Sequence, residues 1–415
     1  MLRIALCQMR VVANKGDNLT RAAELIRDAV RPAGTPSSVA VTGSATTFRR
    51  FTRDEFGKAA PSGTPQQHGA GNMPVGSTTT KPEDRHTNAV TDLTTGPPTA
   101  SATSTAQDHR TSTSGQRSSV VVVLPECFNS PYGTKFFAEY AEPLPPVGTT
   151  ADRIDAKSMP SCSAMANLAK ELGLWIVAGS IPEVSSSSTS AVAESSAPSA
   201  GSLRRYHNTS FVLDPSGTVR ALYRKMHLFK IDTPTLKMDE AEVLTAGDAP
   251  QTFTVPTIGS GSHPSVIDTL ASQGLAEEAA AKIGLGICFD VRYPQLALHY
   301  RDLGTQMIVY PAAFNMVTGP THWELAARSR AVDAQQFVVM CSPARDTTAG
   351  YVAFGQSIII DPAGGVVARA GTSVHDCGDE CIVTADIDLG TVAAVRARLP
   401  IMAGTRRDLY ELRFY

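Results

Sequence analysis

Apolar residues along this chain fall into short runs that alternate between strand-like and helix-like patterns. "RIALCQM" (3–9) predicts a strand, and "DNLTRAAELIRDAV" (17–30) repeats its apolar positions at helical spacing. "SVVVVLPE" (119–126) is a continuous β-branched run, the pattern of a strand covered on both faces. A helix around 162–172 and the strand "LWIVAGS" follow, then a pair of strands in "NTSFVLDPSGTVRALYRKMHLF" joined by the turn "DPSG". Further on, "KIGLGICF", "QMIVYPAAF" and "FVVMCSPA" predict strands, with helices in "YPQLALHYRDL" and "HWELAARSRAVDAQQ" between them. The hairpin "SIIIDPAGGVVARA" and the strand "CIVTADID" complete the pattern.

Three stretches break it. Residues 34–118 are dominated by Thr, Ser, Gly, Pro and Ala and bury too little to offset their ordering entropy, which predicts disorder. Residues 184–202 share that character, and 257–281 are mixed, with room for one short helix. Without them, strands and helices alternate as in a single α/β layered domain spanning 1–415, rather than two domains. The first and third stretches enter ahead of strands, at their N-terminal ends. The second leaves the C-terminal end of "LWIVAGS", where α/β folds collect their chemistry, and is expected to reach the rim of a site.

Charge changes the picture only by exclusion. Lysine and arginine number 37 against 39 acidic residues, so no basic surface points to a nucleic-acid partner. No apolar run is long enough to span a bilayer, and "MLRIALCQMRVV" enters a strand pattern at once. A soluble cytoplasmic protein is the expectation. Seven scattered cysteines do not form a disulfide framework. Cys377 and Cys381, near His375 in "HDCGDEC", lack further ligands at metal-site spacing and read as an exposed loop. Cys7, Cys162 and Cys341 read as core or helix residues.

Candidate chemistry sits where the strands end: Glu126 after "VVVVLP", Lys225 in "YRKMHLF", and Cys288 at the end of "KIGLGICF". Singly, these read as a solvated strand end, a basic surface edge and a packing thiol. Together they form a set. A helix beginning near Asp290 would set partial positive charge and free N–H groups beside Cys288, drawing its pKa from about 8.5 toward neutrality. A carboxylate can take the thiol proton and later activate water, while a lysine and a backbone N–H hold an oxyanion. The combination describes acyl transfer to cysteine followed by hydrolysis.

These residues, with "LPECFNSPYGTKFFAEYAE", "GSIPE", "YRKMHLFKIDTP", "GLGICFDVRYPQLA", "YPAAFNMVTGPTHWELAARSRAVDAQQFVV" and "RRDLY", resemble the nitrilase superfamily of carbon–nitrogen hydrolases. The resemblance covers nearly the whole chain outside the three insertions. It implies an α-β-β-α sandwich, a homodimer, no metal or organic cofactor, and a Glu126–Lys225–Cys288 triad with the Phe289 N–H as second oxyanion donor. "FNSPYG", "HLFKID" and "AFNMVTGPTHWE" resemble the omega-amidase branch, whose substrates are small amides of dicarboxylic acids such as 2-oxoglutaramate and 2-oxosuccinamate. Deaminated glutathione or an N-carbamoyl compound is the alternative substrate, and a non-catalytic scaffold the alternative class. The resemblance adds Glu240, with Asp239 and Glu242 as neighbouring alternatives. For the substrate carboxylate Arg292 comes first; Phe314, Thr318 and Tyr132 are expected to line the pocket. Phe128, Asn129, Asn315 and His322 are weaker candidates, and Cys127 should point away from the site.

Overall fold

The computed structural model describes residues 1–32, 40–43, 119–186, 204–234, 237–257, 280–371 and 378–413. They belong to one compact unit, Met1–Phe48 with Gln116–Tyr415; a second unit, Arg49–Gly115, lies outside the described residues.

Two sheets face one another. The first holds β1 (Leu2–Gln8), β2 (Ala40–Gly43), β3 (Ser119–Val123), β4 (Trp175–Val177), β5 (Ile181–Ser186), β6 (Arg204–Leu213) and β7 (Val219–Arg224). With the late strand Cys381–Ile387 its order is β2, Cys381–Ile387, β1, β3, β4, β6, β5, and β7 pairs with β6. A small hairpin joins β8 (Lys230–Asp232) to β9 (Lys237–Asp239). The second sheet runs in the order β10 (Thr252–Pro256), β11 (Ala280–Leu285), β12 (Met307–Pro311), β13 (Phe337–Cys341), β14 (Ile358–Ile360) and β15 (Val366–Arg369).

The period-two rule of strands sorts side chains between the layers. In β1, Leu2, Ile4 and Leu6 join the core shared with the second sheet. Ala5 and Cys7 pack instead with Ala22, Leu25 and Ile26 of the helix Lys15–Ala29 and Met165, Ala166 and Ala169 of the helix Pro160–Leu172. The helices Pro294–Asp302 and Gly319–Ala334 contribute Leu296, Tyr300, Trp323 and Ala327 to the core that includes the second sheet. The fold is the α-β-β-α sandwich expected. Val121, Val122 and Val123 are fully buried, each stabilising by roughly 1.5–3 kcal/mol relative to exposure. Polar contacts also join the sheets: Ser357 N–H donates to Gln8 Oε1 (2.9 Å), and Cys341 Sγ donates to the Val123 carbonyl (3.3 Å).

Local chemistry sets the helix ends. Asn14 caps Lys15–Ala29 by accepting from Asp17 N–H (3.2 Å). Pro160 occupies the first turn of its helix, and Gly173 closes it in the left-handed conformation (φ 66°).

Several expectations need correction. Ala40–Gly43, inside the stretch predicted disordered, pairs in parallel with Cys381–Thr384 as an edge strand; four residues within a Ser/Thr/Gly/Pro background carry too little pattern to stand out. Val184–Ser186 belong to β5 and Ala280–Ala281 to β11, so the second and third breaks are shorter than the composition suggested. Apart from Thr257, the other positions of the three stretches lie outside the described residues, as do His375 and Cys377. Cys381 is not in an exposed loop: it is buried at the start of its strand. The helices Thr134–Tyr140 and Gly390–Arg398, and the strands β8, β9 and β10, had no clear periodic signal.

Strand direction decides where the site lies. β3 and β4 are parallel; β6 is antiparallel to β4 and β7 to β6, so β7 runs with β3. β11, β12 and β13 are parallel in their own sheet. Glu126, Lys225 and Cys288 each lie just past the C-terminal end of a strand rather than within it. At the other end, Ser119 Oγ donates to the carbonyl of Pro256 (2.5 Å), joining the residue that begins β3 to the one that ends β10. The hairpin of β5 and β6 extends past the C-terminal end of β4.

Gly179 shows how tightly the strand ends are set. It adopts φ +47°, and a Cβ there would lie 2.0 Å from the Pro125 carbonyl oxygen, next to Glu126. Gly179→Ala is expected to lower the unfolding free energy by about 1–3 kcal/mol, from overpacking against rigid backbone, read from the denaturant midpoint.

Candidate active site

Lys225 is the centre of the site. It follows β7, has no solvent exposure, and its Nζ lies 3.0 Å from Glu126 Oε1 and 2.9 Å from Glu240 Oε2. Its backbone N–H donates to the Asn208 carbonyl (2.8 Å), and Asn208 Nδ2 donates to Glu126 Oε1 (2.9 Å). Glu240 also accepts from Tyr132 OH (2.7 Å) and Phe229 N–H (2.7 Å). Of the three neighbouring acids considered, the structure therefore selects Glu240. Asp239 instead pairs with Lys230 at 2.7 Å, and Glu242 is exposed.

Burial pushes the Lys225 ammonium downward, but Glu126 and Glu240 outweigh it and hold the group well above the usual lysine range. Lysine is therefore a fixed positive charge here. Burial raises the Glu126 carboxyl, and Glu240 adds to it; Lys225 opposes without cancelling. Glu126 Oε2 is buried and accepts no hydrogen bond among the described residues.

Cys288 stands in the left-handed region (φ 46°), uncommon for a residue with a side chain. The expected fall in its pKa does not occur. Burial pushes the thiol well up and Glu126 adds to that, while Lys225 and the Ala313 backbone only partly compensate. The physical reason lies in the backbone: Cys288–Arg292 is one short 3-10 turn, and the α-helix begins only at Pro294. A dipole that short offers little against desolvation. The resting group is a thiol that needs a base.

That turn is held by Asp290, which the sequence did not single out. Its Oδ2 accepts from Ile287 N–H (2.8 Å) and Tyr223 OH (2.7 Å), and its Oδ1 accepts from His227 N–H (3.0 Å). His227 Nδ1 lies 2.7 Å from the same oxygen, and the His227 ring stacks on Tyr293 at 3.6 Å. The carboxylate thus ties the Cys288 turn to the segment carrying Lys225.

A pocket opens onto Cys288, lined by Tyr132, Phe229, Phe289, Arg292, Ala313, Phe314, Asn315, Thr318 and Tyr351. It brings together the expected Arg292, Phe314, Thr318, Tyr132 and Phe289. The Arg292 guanidinium lies over the rings of Phe314 (4.9 Å) and Phe289 (5.7 Å). Its Nη1 is 3.2 Å from His322 Nδ1, its Nε has no partner, and no carboxylate pairs with it among the described residues. Among the described residues Arg292 thus forms no structural ion pair, and His322 is its polar neighbour. Phe128 is core, and Asn129 bonds Glu142 and Ser161 instead of facing the pocket. Cys127 packs with Phe137 and Leu244, away from the pocket. Cys7, Cys162 and Cys341 are buried.

Asn208, Phe229 and Tyr351 were missed. Asn208 stands in β6 within the polar run His207–Ser210, all of it buried, where nothing in the sequence marks it out from its neighbours; a buried polar side chain there demands a partner. Tyr351 lies in "DTTAGYVAF", which has no periodic signal; its hydroxyl donates to the Ala313 carbonyl, and its ring lies 4.5 Å from that of Tyr132.

A two-sheet sandwich with this acid–lysine–cysteine cluster defines a class of hydrolase. The model of the carbon-nitrogen hydrolase family matches residues 3–397, and the chain belongs to that family. It is an amidase, a hydrolase of carbon–nitrogen bonds. It is 40% identical to the human omega-amidase NIT2 over 291 residues, 70% of this chain and 84% of that protein. Identity to the Xenopus tropicalis omega-amidase NIT2 is 39% over 298 residues, 72% of this chain and 87% of that one. Among solved structures, Saccharomyces cerevisiae Nit3, a member of branch 10 of the nitrilase superfamily, superposes with a TM-score of 0.56 at 26% identity, covering 98% of this chain and 96% of that one.

Removing one member of a buried ion network leaves the others uncompensated. Glu240→Ala is expected to cost about 3–5 kcal/mol of stability, measured by denaturant unfolding, because Lys225 would then keep a single carboxylate.

Proposed function

We propose that this protein is an omega-amidase that releases ammonia from the terminal amide of 2-oxoglutaramate or 2-oxosuccinamate through a thioester on Cys288. The observation that carries the reading is the buried Glu126–Lys225–Glu240 cluster beside Cys288, at a pocket whose one arginine has no carboxylate partner among the described residues. The omega-amidases to which the chain is similar support the choice of substrate.

The chemistry follows from the protonation states. Glu126 takes the Cys288 proton as Sγ attacks the amide carbon. Lys225, held charged, and the Phe289 N–H stabilise the oxyanion; one such donor is worth roughly 10²–10³-fold in rate. The amide nitrogen takes the proton from Glu126 and leaves as ammonia, giving the thioester. Glu126, ionised again, draws a proton from water, whose oxygen attacks the thioester carbon. Collapse of that intermediate frees the dicarboxylate, and the proton returns to sulfur. Glu240 fixes Lys225 throughout. Arg292 holds the distant carboxylate, with Phe314 and Thr318 flanking the substrate chain.

The test is ammonia release from 2-oxoglutaramate and succinamate by the purified protein. Activity on these amides that Cys288→Ala abolishes is the expected result; no release from either by folded protein would reject the substrate assignment. Arg292→Leu is expected to raise KM for 2-oxoglutaramate by roughly 10- to 100-fold, the loss of a charge-assisted contact, with a smaller change in kcat. The pH profile gives a separate reading. Glu126 must be ionised to act as base, and its pKa is raised, so kcat/KM should fall on the acid side at a midpoint above the ordinary glutamate value of about 4.3.

A further inference from the structure

Beyond the cluster at Cys288, the pocket contains a side chain whose orientation is fixed while its donor goes unused. Asn315 is 5% exposed and lines the pocket in the loop after β12. Its Oδ1 accepts from Val317 N–H (3.0 Å), Thr318 N–H (2.9 Å) and Thr318 Oγ1 (3.2 Å). Two of those partners are backbone N–H groups that can only donate. The side-chain amide therefore cannot be turned over, and its oxygen must face the loop. Nδ2 is left buried with no hydrogen-bond partner among the described residues.

The loop carrying it is firmly placed. Gly319 N–H donates to the Asn315 carbonyl (2.8 Å), Phe354 N–H donates to the Phe314 carbonyl (2.7 Å), and the Phe314 ring packs edge-on against Trp323 at 5.3 Å. A buried donor without an acceptor is costly, and native structures rarely keep one without a use. Here the donor belongs to a pre-positioned side chain in the same pocket as Arg292, the arrangement of a recognition group awaiting an acceptor.

Resting on the omega-amidase reading of this pocket, we infer that Asn315 is a substrate-binding residue whose Nδ2 donates to the 2-oxo oxygen of the substrate, beside the carboxylate that Arg292 holds. A ketone oxygen accepts and cannot donate, matching a group that can only donate. A chain with a methylene at that carbon would leave Nδ2 unpaired, and sites built around a buried hydrogen-bonding group discriminate strongly against ligands that lack its partner. Arg292 reads the acid and Asn315 reads the oxo group next to it, so 2-oxo amides are preferred while amides without the oxo group, such as succinamate, are still turned over.

The experiment compares kcat and KM on 2-oxoglutaramate and on glutaramate, the same chain with a methylene in place of the ketone. Asn315→Ser keeps a side-chain oxygen able to accept from the two loop N–H groups but has no amide donor. Asn315→Asp keeps the shape and both loop bonds and replaces the donor with an acceptor, a second variant should serine weaken the fold. The wild type is expected to prefer 2-oxoglutaramate. Serine should lower kcat/KM for it by about 10- to 100-fold, mainly through KM, while glutaramate changes by less than about threefold. Aspartate should reduce the preference in the same direction. Equal losses on both amides would overturn the assignment and leave Asn315 as a loop support, with the amidase reading intact. A wild type that hydrolyses neither amide would sink that reading and this assignment together.

Discussion

An ammonium group sealed from water is tolerable only if its charge is met on the spot. Lys225 meets that condition through two carboxylates from different parts of the chain, Glu126 after β3 and Glu240 in the turn after β9. Neither can move without leaving a buried charge unmatched, so the three segments are fixed relative to one another before any substrate arrives. Glu240 extends the constraint to Tyr132 and Phe229, and through them to the pocket wall. The electrostatics of the site and its shape have one origin.

Cys288 depends on that cluster. A helix dipole would have made an independently reactive thiolate; the short turn and deep burial make a protonated thiol that acts only when Glu126 receives its proton. Asp290 supplies the geometry. By accepting from Ile287, Tyr223 and His227 it joins the second-sheet turn to the strand end carrying Lys225, so nucleophile and cation are held by one buried carboxylate. The unusual φ of Cys288 is sustained by those bonds.

The architecture and the central chemistry were legible because they follow periodic rules. Buried strands such as Val121–Val123 must be apolar on both faces, and reactive residues just past strand ends stand out against such runs. What escaped notice is set by tertiary contact. Asn208 differs from any other polar strand residue only because Glu126 lies 2.9 Å away. Tyr351 and Asp290 act through partners distant in sequence, and no local spacing announces them. The thiol's pKa was misjudged for a related reason: the sequence suggested a helix start at Asp290, while burial and the neighbouring carboxylate, both tertiary, decided the outcome.

The hydrogen bond from Ser119 to the Pro256 carbonyl separates two ends of the molecule that tolerate change differently. It closes the sandwich at the end remote from Cys288, where the residues bordering two of the chain's composition breaks meet. Lengthening a connection adds only a logarithmic penalty, and at this edge one end of each of two connections is held to the other. One end of the sandwich is therefore tightly packed, with no room for a single added methyl at Gly179, while the other is where added chain length costs least. Residues added at the second end need not disturb the packing of the first.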